Sequence, residues 1–358
     1  MDSNVTVKKN TKHSLKVDYD GKLSFWQRMK KRLTTSNTWI KVLVNIFRFI
    51  MMLGISYVIL YPFFSKIAQS FMTKEDIIDP TVSLIPRHFT TDIYKYLAIE
   101  NHYFEALLNT AILSLIVALL QTLVACLVGY GLAKFKFKGN KLVMAIVVLT
   151  MIIPHQALRS AISNFFMEFD FFQIRILPRV LKIFGVDSWT SSGIIAMLTG
   201  SPVNLQGTYW PMAIISISGL AFKNGLYIYM MRQFFKGVPD ELEESAYVDG
   251  SGVFRTFFQI IIPLSVPMMI TIFLFSFSWQ WTDEFYIGMF SLDNINLLPD
   301  LYKNQAPSLD FSTHASWYKY RVVIENTAGL MIIAPLVIVY LFCQRYLVQG
   351  IERSGLVG

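Results

Sequence analysis

Charge is scarce in this chain: Asp, Glu, Lys and Arg make up 16% of its 358 residues, against about 25% in soluble globular proteins. With 54% of the residues hydrophobic, among them 29 Phe, 17 Tyr and 16 Met, a water-facing surface could not hide the apolar side chains, so lipid must take some of them. A soluble class is excluded. Cysteine is nearly absent, and both Cys126 and Cys343 lie inside long apolar runs, which excludes a disulfide scaffold and leaves the two thiols as packing residues. No two of His13, His88, His102, His155 and His314 can share a helix turn, and neither cysteine has a neighbouring ligand, so no metal, cofactor or catalytic site is expected. A G-x-x-x-x-G-K-[ST] run is missing too; Gly21 and Lys22 are followed by Leu and lack the upstream glycine. The net charge of +8 would suggest nucleic acid in a soluble chain, but here it falls under the positive-inside rule, and no nucleic-acid partner is expected.

What the sequence does have is six apolar runs of spanning length, about 20 residues each: roughly 43 to 66, 106 to 130, 141 to 163, 210 to 233, 259 to 281 and 326 to 346. They predict an all-α polytopic membrane protein with both termini on one side. Residues 1–42 form a polar tail with ten Lys or Arg, from Lys8 to Lys41, against Asp2, Asp18 and Asp20. The tail is too long and polar for the n-region of a cleavable signal. The link after the second span holds Lys134, Lys136, Lys138 and Lys141 with no acid, whereas the link near 283 to 323 holds Asp283, Glu284, Asp293, Asp300 and Asp310. The basic link, the tail 1–42 and the tail 347–358 are therefore expected in the cytoplasm, with 67 to 104 and 164 to 209 outside, the latter as an ordered loop.

One link breaks the charge pattern. "GVPDELEESAYVDGSG" falls on the basic side yet carries Asp240, Glu241, Glu243, Glu244 and Asp249. It reads as a ten-residue helix about 15 Å long, with Pro239 at its first position, acids in the first turn, and Gly250 as a left-handed stop. On pattern alone an ordinary solvated loop helix fits it equally well.

The stretch "ELEESAYVDGSGVFRTFFQIIIP" resembles the EAA loop of permease subunits in ATP-binding-cassette (ABC) importers: Glu-Ala-Ala, three residues, Gly, nine residues, Ile, one residue, Leu-Pro. Glu244 takes the Glu position, Ser245 stands where the first Ala is usual, Ala246 is the second Ala and Gly250 the Gly, with Ile260, Ile262 for Leu, and Pro263 closing the motif. "YMMRQFFKGVP", "FSWQWTDEF", "GYGLAKFKFKGNK", "MIIP", "YPFFSKIAQSF" and "QRYLVQG" are similar to the maltose-type carbohydrate-uptake permeases, second-permease kind, so the likeness covers about residues 43 to 358. It implies a type I importer permease fold of six transmembrane helices. The first helix and its external loop occupy 43–104, a permease core with the EAA loop at 238–263 occupies 105–346, and the loop helix couples to an ATPase through Glu244, Ser245, Ala246, Asp249, Gly250 and Pro263. It implies as partners a second permease, two ATPase subunits and an external sugar-binding lipoprotein or periplasmic binding protein, in the plasma membrane. The chain itself would not be an enzyme. An ion-coupled secondary transporter or channel would instead show an inverted repeat and mid-span acids.

Lys223 and Asn224 fall near the middle of the fourth run, where a charge is costly and suggests a function; a snorkelling Lys beside a break at Gly219 or Gly225 is the bland alternative. Trp279 and Trp281 suit both the face of a sugar ring and a membrane-interface belt, and since the resemblance leaves selection to an external protein, the belt is preferred for them. Asn109 and Gln121 are expected to hydrogen-bond between helices. For the loop helix, Leu242, Ala246 and Val248 are the apolar residues expected to be buried against a partner.

Overall fold

The structure is a computed structural model that describes residues 7–8, 16–17, 36–170, 195, 198, 201–301 and 314–353. The chain divides into two compact units, Met1–Ser65 and Lys66–Gly358. In the first, Val7–Lys8 and Lys16–Val17 pair antiparallel, and most of helix α1 (Ser36–Gln69) follows. Every side chain from Ile40 to Phe64 is exposed, and Lys41 and Arg48 alone interrupt the apolar run with charge. A helix apolar on all sides is one that lipid or another protein must surround.

The second unit begins with a clamped loop. Helix α2 (Lys74–Ile78) is capped by Thr73, and the Asp76 carboxylate accepts the N–H groups of Arg87 (2.9 Å) and His88 (2.7 Å) and meets the His88 ring Nδ1 at 3.0 Å. Asp79 accepts from Thr81 and Arg87. Helix α3 (Asp92–Ile99) then packs Ile93 and Leu97 against Tyr320, Val323 and Ala328. The His88 N–H, above all, holds the Asp76 carboxyl below its ordinary value, so its contribution to loop order is present above the ordinary carboxylate range and is lost as pH falls through the lower folded value. Limited proteolysis of segment 79–91 should therefore quicken only in strong acid for the natural chain, and already at neutral pH for Asp76→Ala. Equal cleavage of the two at neutral pH would refute the clamp.

The core is built around α4 (Tyr103–Lys134), which at 32 residues is about 48 Å long. Against it pack α7 (Trp210–Ile217), α8 (Asn224–Lys236) and α10 (Val253–Trp281). One buried cluster joins Cys126, Tyr130, Met231, Phe235, Ile261 and Met268 near the Lys134 end; another joins Leu113, Val117, Met212, Tyr286 and Phe290 near the opposite end. Helices in lipid associate by close packing, which favours small residues at crossings. Gly129 is such a residue: a Cβ there would lie 2.6 Å from the Met231 Cβ and 3.0 Å from the Arg232 backbone nitrogen. Gly129→Leu should force α4 and α8 apart and lower stability by about 1 to 3 kcal/mol, read as a drop in melting temperature in detergent. Gly131→Ala, whose nearest neighbour is 4.0 Å away, should leave it unchanged; equal behaviour of the two variants would contradict this crossing.

Among the described residues, four helices are long and apolar enough to cross a membrane: Ile40–Gln69, Tyr103–Lys134, Val253–Trp281 and His314–Leu347. The third expected run is a pair, α5 (Asn140–Ile152) and α6 (His155–Met167), bent by 91° at Pro154, which has no N–H to continue the ladder. The fourth, 210 to 233, differs from the expected single span. It is two helices, α7 and α8, separated by a turn in which Gly219 (φ 79°) and Lys223 (φ 64°) are left-handed. Two of the freed groups are satisfied inside the turn, Leu220 N–H by Ile215 O (3.2 Å) and Asn224 N–H by Ala221 O (2.9 Å), in line with the need to pair backbone groups at a break inside a bilayer. Helix α10 carries one π turn, Phe257–Ile261, just before Pro263. The last helix, α12 (His314–Arg353), overruns the expected boundary at 346. Most of the 1–42 tail and of the segment 164 to 209, expected as an ordered loop, lies outside the described residues.

Candidate functional site

Between α8 and α10 lies the loop helix α9, Glu241–Val248. It is eight residues long, not ten, because Asp240 is the N-cap and Pro239 stays outside. The Asp240 side chain makes no cap bond; it turns instead to Lys134 at the end of α4. The Lys134 ammonium lies 2.5 Å from Asp240 Oδ1, 3.5 Å from Glu243 Oε1 and 2.7 Å from the Val238 carbonyl oxygen. Glu243 accepts the Tyr130 hydroxyl through Oε2 at 2.8 Å. The Tyr130 ring packs on Phe235 and Phe257, 5.5 and 4.8 Å between centroids. The Lys134 and Glu243 side chains are 8% and 9% exposed, so this ion pair is shielded, whereas Asp240, beside the same ammonium, is solvated. The hydrogen bond from Lys134 holds the Asp240 carboxyl below its ordinary value. One cation thus fixes α9 to α4, and Tyr130, Lys134, Asp240 and Glu243 form a joint that reading the motif alone did not single out. Its sequence signal is the acid run facing the acid-free "AKFKFKGNK" link.

The far end of α9 closes in a Schellman motif. Ser251 N–H donates to Ala246 O (2.9 Å), Gly250 N–H donates to Tyr247 O (3.0 Å), and Gly250 sits at φ 82°, as expected for a C′ glycine. No atom lies within 4 Å of where a Gly250 Cβ would be, so backbone conformation alone makes glycine the favoured residue there. Ala246 is buried against the body of the chain. Glu244, Ser245, Asp249 and Gly250 are exposed, as are Leu242 (40%), Tyr247 (40%) and Val248 (87%). Of the three apolar residues expected to be buried, only Ala246 is buried within the chain itself. Pro263 stands apart from α9, in the first turn after the π segment.

The candidate path residues separate into two kinds. Trp281 is buried and donates from Nε1 to Ile332 O (2.9 Å), and Asn224 is buried and reaches Ser216 O; both hold helices together. Trp279 is 53% exposed and lies beside Lys223, whose ammonium is 5.2 Å from its ring centroid and 4.7 Å from that of Phe222. Of the two amides expected to hydrogen-bond between helices, Gln121 does so, accepting from Ser276 (2.8 Å), whereas Asn109 donates to the backbone oxygen of Asn296 (3.0 Å), which lies in a loop and not in a helix. Beyond the end of α10, burial pushes the Asp283 carboxyl up to about 6, and its Oδ2 accepts the Tyr286 N–H at 3.1 Å.

Comparison with known proteins agrees with this architecture. The chain is 27% identical to a probable starch degradation products transport system permease of Thermoanaerobacterium thermosulfurigenes, over 81% of this chain and 89% of that one. It is 26% identical to a maltodextrin transport system permease of Streptococcus pneumoniae, over 92% and 97%. Its fold is similar to that of a chain in the crystal structure of a bacterial ABC transporter involved in importing the acidic polysaccharide alginate. That match has a TM-score of 0.59 at 19% identity and covers 87% of this chain and 98% of that one. A family model matches residues 121–353, more than half of the chain and the whole of the α8–α9–α10 region. The chain belongs to the binding-protein-dependent transport system inner membrane components, the permease subunits of ABC importers.

Proposed function

We propose that this permease is one of two similar membrane subunits that together enclose an alternating-access path for a carbohydrate, driven by two ATPase subunits and fed by an external sugar-binding protein. The observation that carries the reading is the two-sided character of α9. One side is tied into the membrane body through Glu243 and Ala246; the other presents Glu244, Leu242, Tyr247 and Val248 to a partner. A thousandfold concentration of solute requires about 4 kcal/mol, at 1.4 kcal/mol per tenfold, and a helix fixed to α4 at its first turn can pass an ATPase's movement to it. Glu244, Ser245, Asp249 and Gly250 form the coupling face, Ala246 serves the coupling from the other side by seating the helix on the membrane body, and Pro263 stands next to the π turn of α10. The carbohydrate cargo is supported by the starch-product and maltodextrin permeases among its relatives.

The α9 end lies in the cytoplasm, as do both termini, because Lys134, Lys136, Lys138 and Lys141 gather there and acids gather in the link after α10. In a Cys-free background, Lys138→Cys should react with an impermeant thiol reagent only from the cytoplasmic side and Asp293→Cys only from outside. In the same membranes an ATPase should co-purify with the chain and drive uptake of a labelled oligosaccharide. Reversed labelling would overturn the orientation; sugar uptake with no ATPase bound would overturn the coupling role.

A further inference from the structure

The breaks in two neighbouring spans meet at one place. Pro154, between α5 and the helix after it, and the left-handed turn before α8 together line a cavity of about 160 Å³, with Thr150, His155, Gln156, Phe222 and Lys223 among its walls. At about 10 to 15 Å³ per water, this is room for on the order of ten water molecules. Helices α5 and α8 each run 13 residues from the α9 end to this point, about 20 Å by the helical rise, so the cavity lies within a hydrocarbon layer about 30 Å thick. Among the described residues on its wall, Lys223 is the only Lys, Arg, Asp or Glu.

Among the described residues, no carboxylate comes within 4 Å of the Lys223 ammonium, and its close neighbours are the Phe222 and Trp279 rings. Asp283, in the adjoining cleft, is engaged by the Tyr286 N–H. The lysine thus has three donors, two aromatic faces and no anion, at a depth where an uncompensated charge is costly and marks a functional position. The residue is also held at φ 64°, in a region that a long side chain rarely adopts. An exposed Trp279 beside the cation offers the flat apolar surface that a sugar ring stacks on.

We infer that Lys223 and Trp279 form a subsite for an anionic saccharide, one bearing a carboxylate or a phosphate, with the ammonium pairing to the acidic group and the indole covering the ring. The inference rests on the permease reading and deepens it by naming the charge of the cargo. A neutral sugar would leave the cation unpaired in the path, whereas an anionic one satisfies it.

The test uses the complete transporter, both permeases with their ATPase, in proteoliposomes, titrated with trigalacturonate, galactotriose and galactose 6-phosphate while tryptophan fluorescence is followed. A Trp279→Phe complex identifies the signal. At least one anionic probe should bind tenfold or more tighter than galactotriose. Lys223→Asn, which keeps a residue tolerant of the left-handed backbone, should reduce that preference to less than twofold, and Lys223→Arg should preserve it. Galactotriose binding as tightly as both anionic probes, or an anion preference that survives Lys223→Asn, would overturn the inference. ATPase co-purification is scored on the same samples, so loss of the permease reading would show separately from loss of charge preference.

Discussion

Gly250→Val should leave the chain inserted and folded in its spans yet abolish ATP-driven uptake. A β-branched residue at φ 82° costs on the order of 1 to 3 kcal/mol, and since nothing surrounds the position, the strain has no steric relief. The Schellman bonds of Ser251 and Gly250 to Ala246 and Tyr247 are the cheapest features to give up, so α9 should unwind at its exposed end, where Tyr247 and Val248 stand. Gly250→Asn, which tolerates the same backbone, should retain most uptake. Glu244→Lys reaches the same end by charge: the exposed carboxylate becomes a cation, and any basic site on the ATPase would then face a like charge. Pull-down of the ATPase together with labelled-sugar uptake reads both variants. Normal values in both would reduce α9 to a solvated connector.

The second large effect is expected at the other end of the helix. Lys134→Met removes the one cation that faces Glu243 among the described residues, and the Glu243 carboxylate is as shielded as the lysine was; breaking a buried pair from one side costs about 3 to 5 kcal/mol. The penalty is local to this end, because the spans also pack through a second apolar cluster at the opposite end. Helix α9 should therefore detach from α4 while the membrane body persists. The ATPase could still bind the exposed face, but its movement would no longer reach α4, giving hydrolysis without uptake. The double variant Lys134→Met, Glu243→Gln leaves no unpaired buried charge, since Asp240 is solvated, and keeps an amide for Tyr130, so it should be more stable than Lys134→Met alone; simple additivity of the two costs would contradict the pairing.

Much of this was legible in the sequence for plain physical reasons. Apolar runs of membrane length mark spans whatever they pack against, and the motif from Glu244 to Pro263 locates α9, with Gly250 left-handed as expected. The break between α7 and α8 was legible only as a hint, because hydropathy does not register backbone turns; Lys223 in the middle of the run and the nearby Gly219 and Gly225 were its signs. The separation of Trp279 from Trp281 was not legible at all. They are two residues apart, close to opposite faces of α10, and only packing decides that one meets Ile332 and the other Lys223. The Lys134 joint was hidden because its partners lie 106 and 109 positions apart in sequence and a motif cannot name a partner outside itself.

The coupling role of α9 is tested most directly by placing a photo-crosslinker on Val248→Cys, which points outward at 87% exposure, in a transporter that still takes up sugar. Illumination should join this chain to an ATPase subunit through position 248 and should yield no such product from the same probe on Asp293→Cys. A transporting complex in which position 248 stays freely reactive and forms no crosslink to an ATPase would contradict the account.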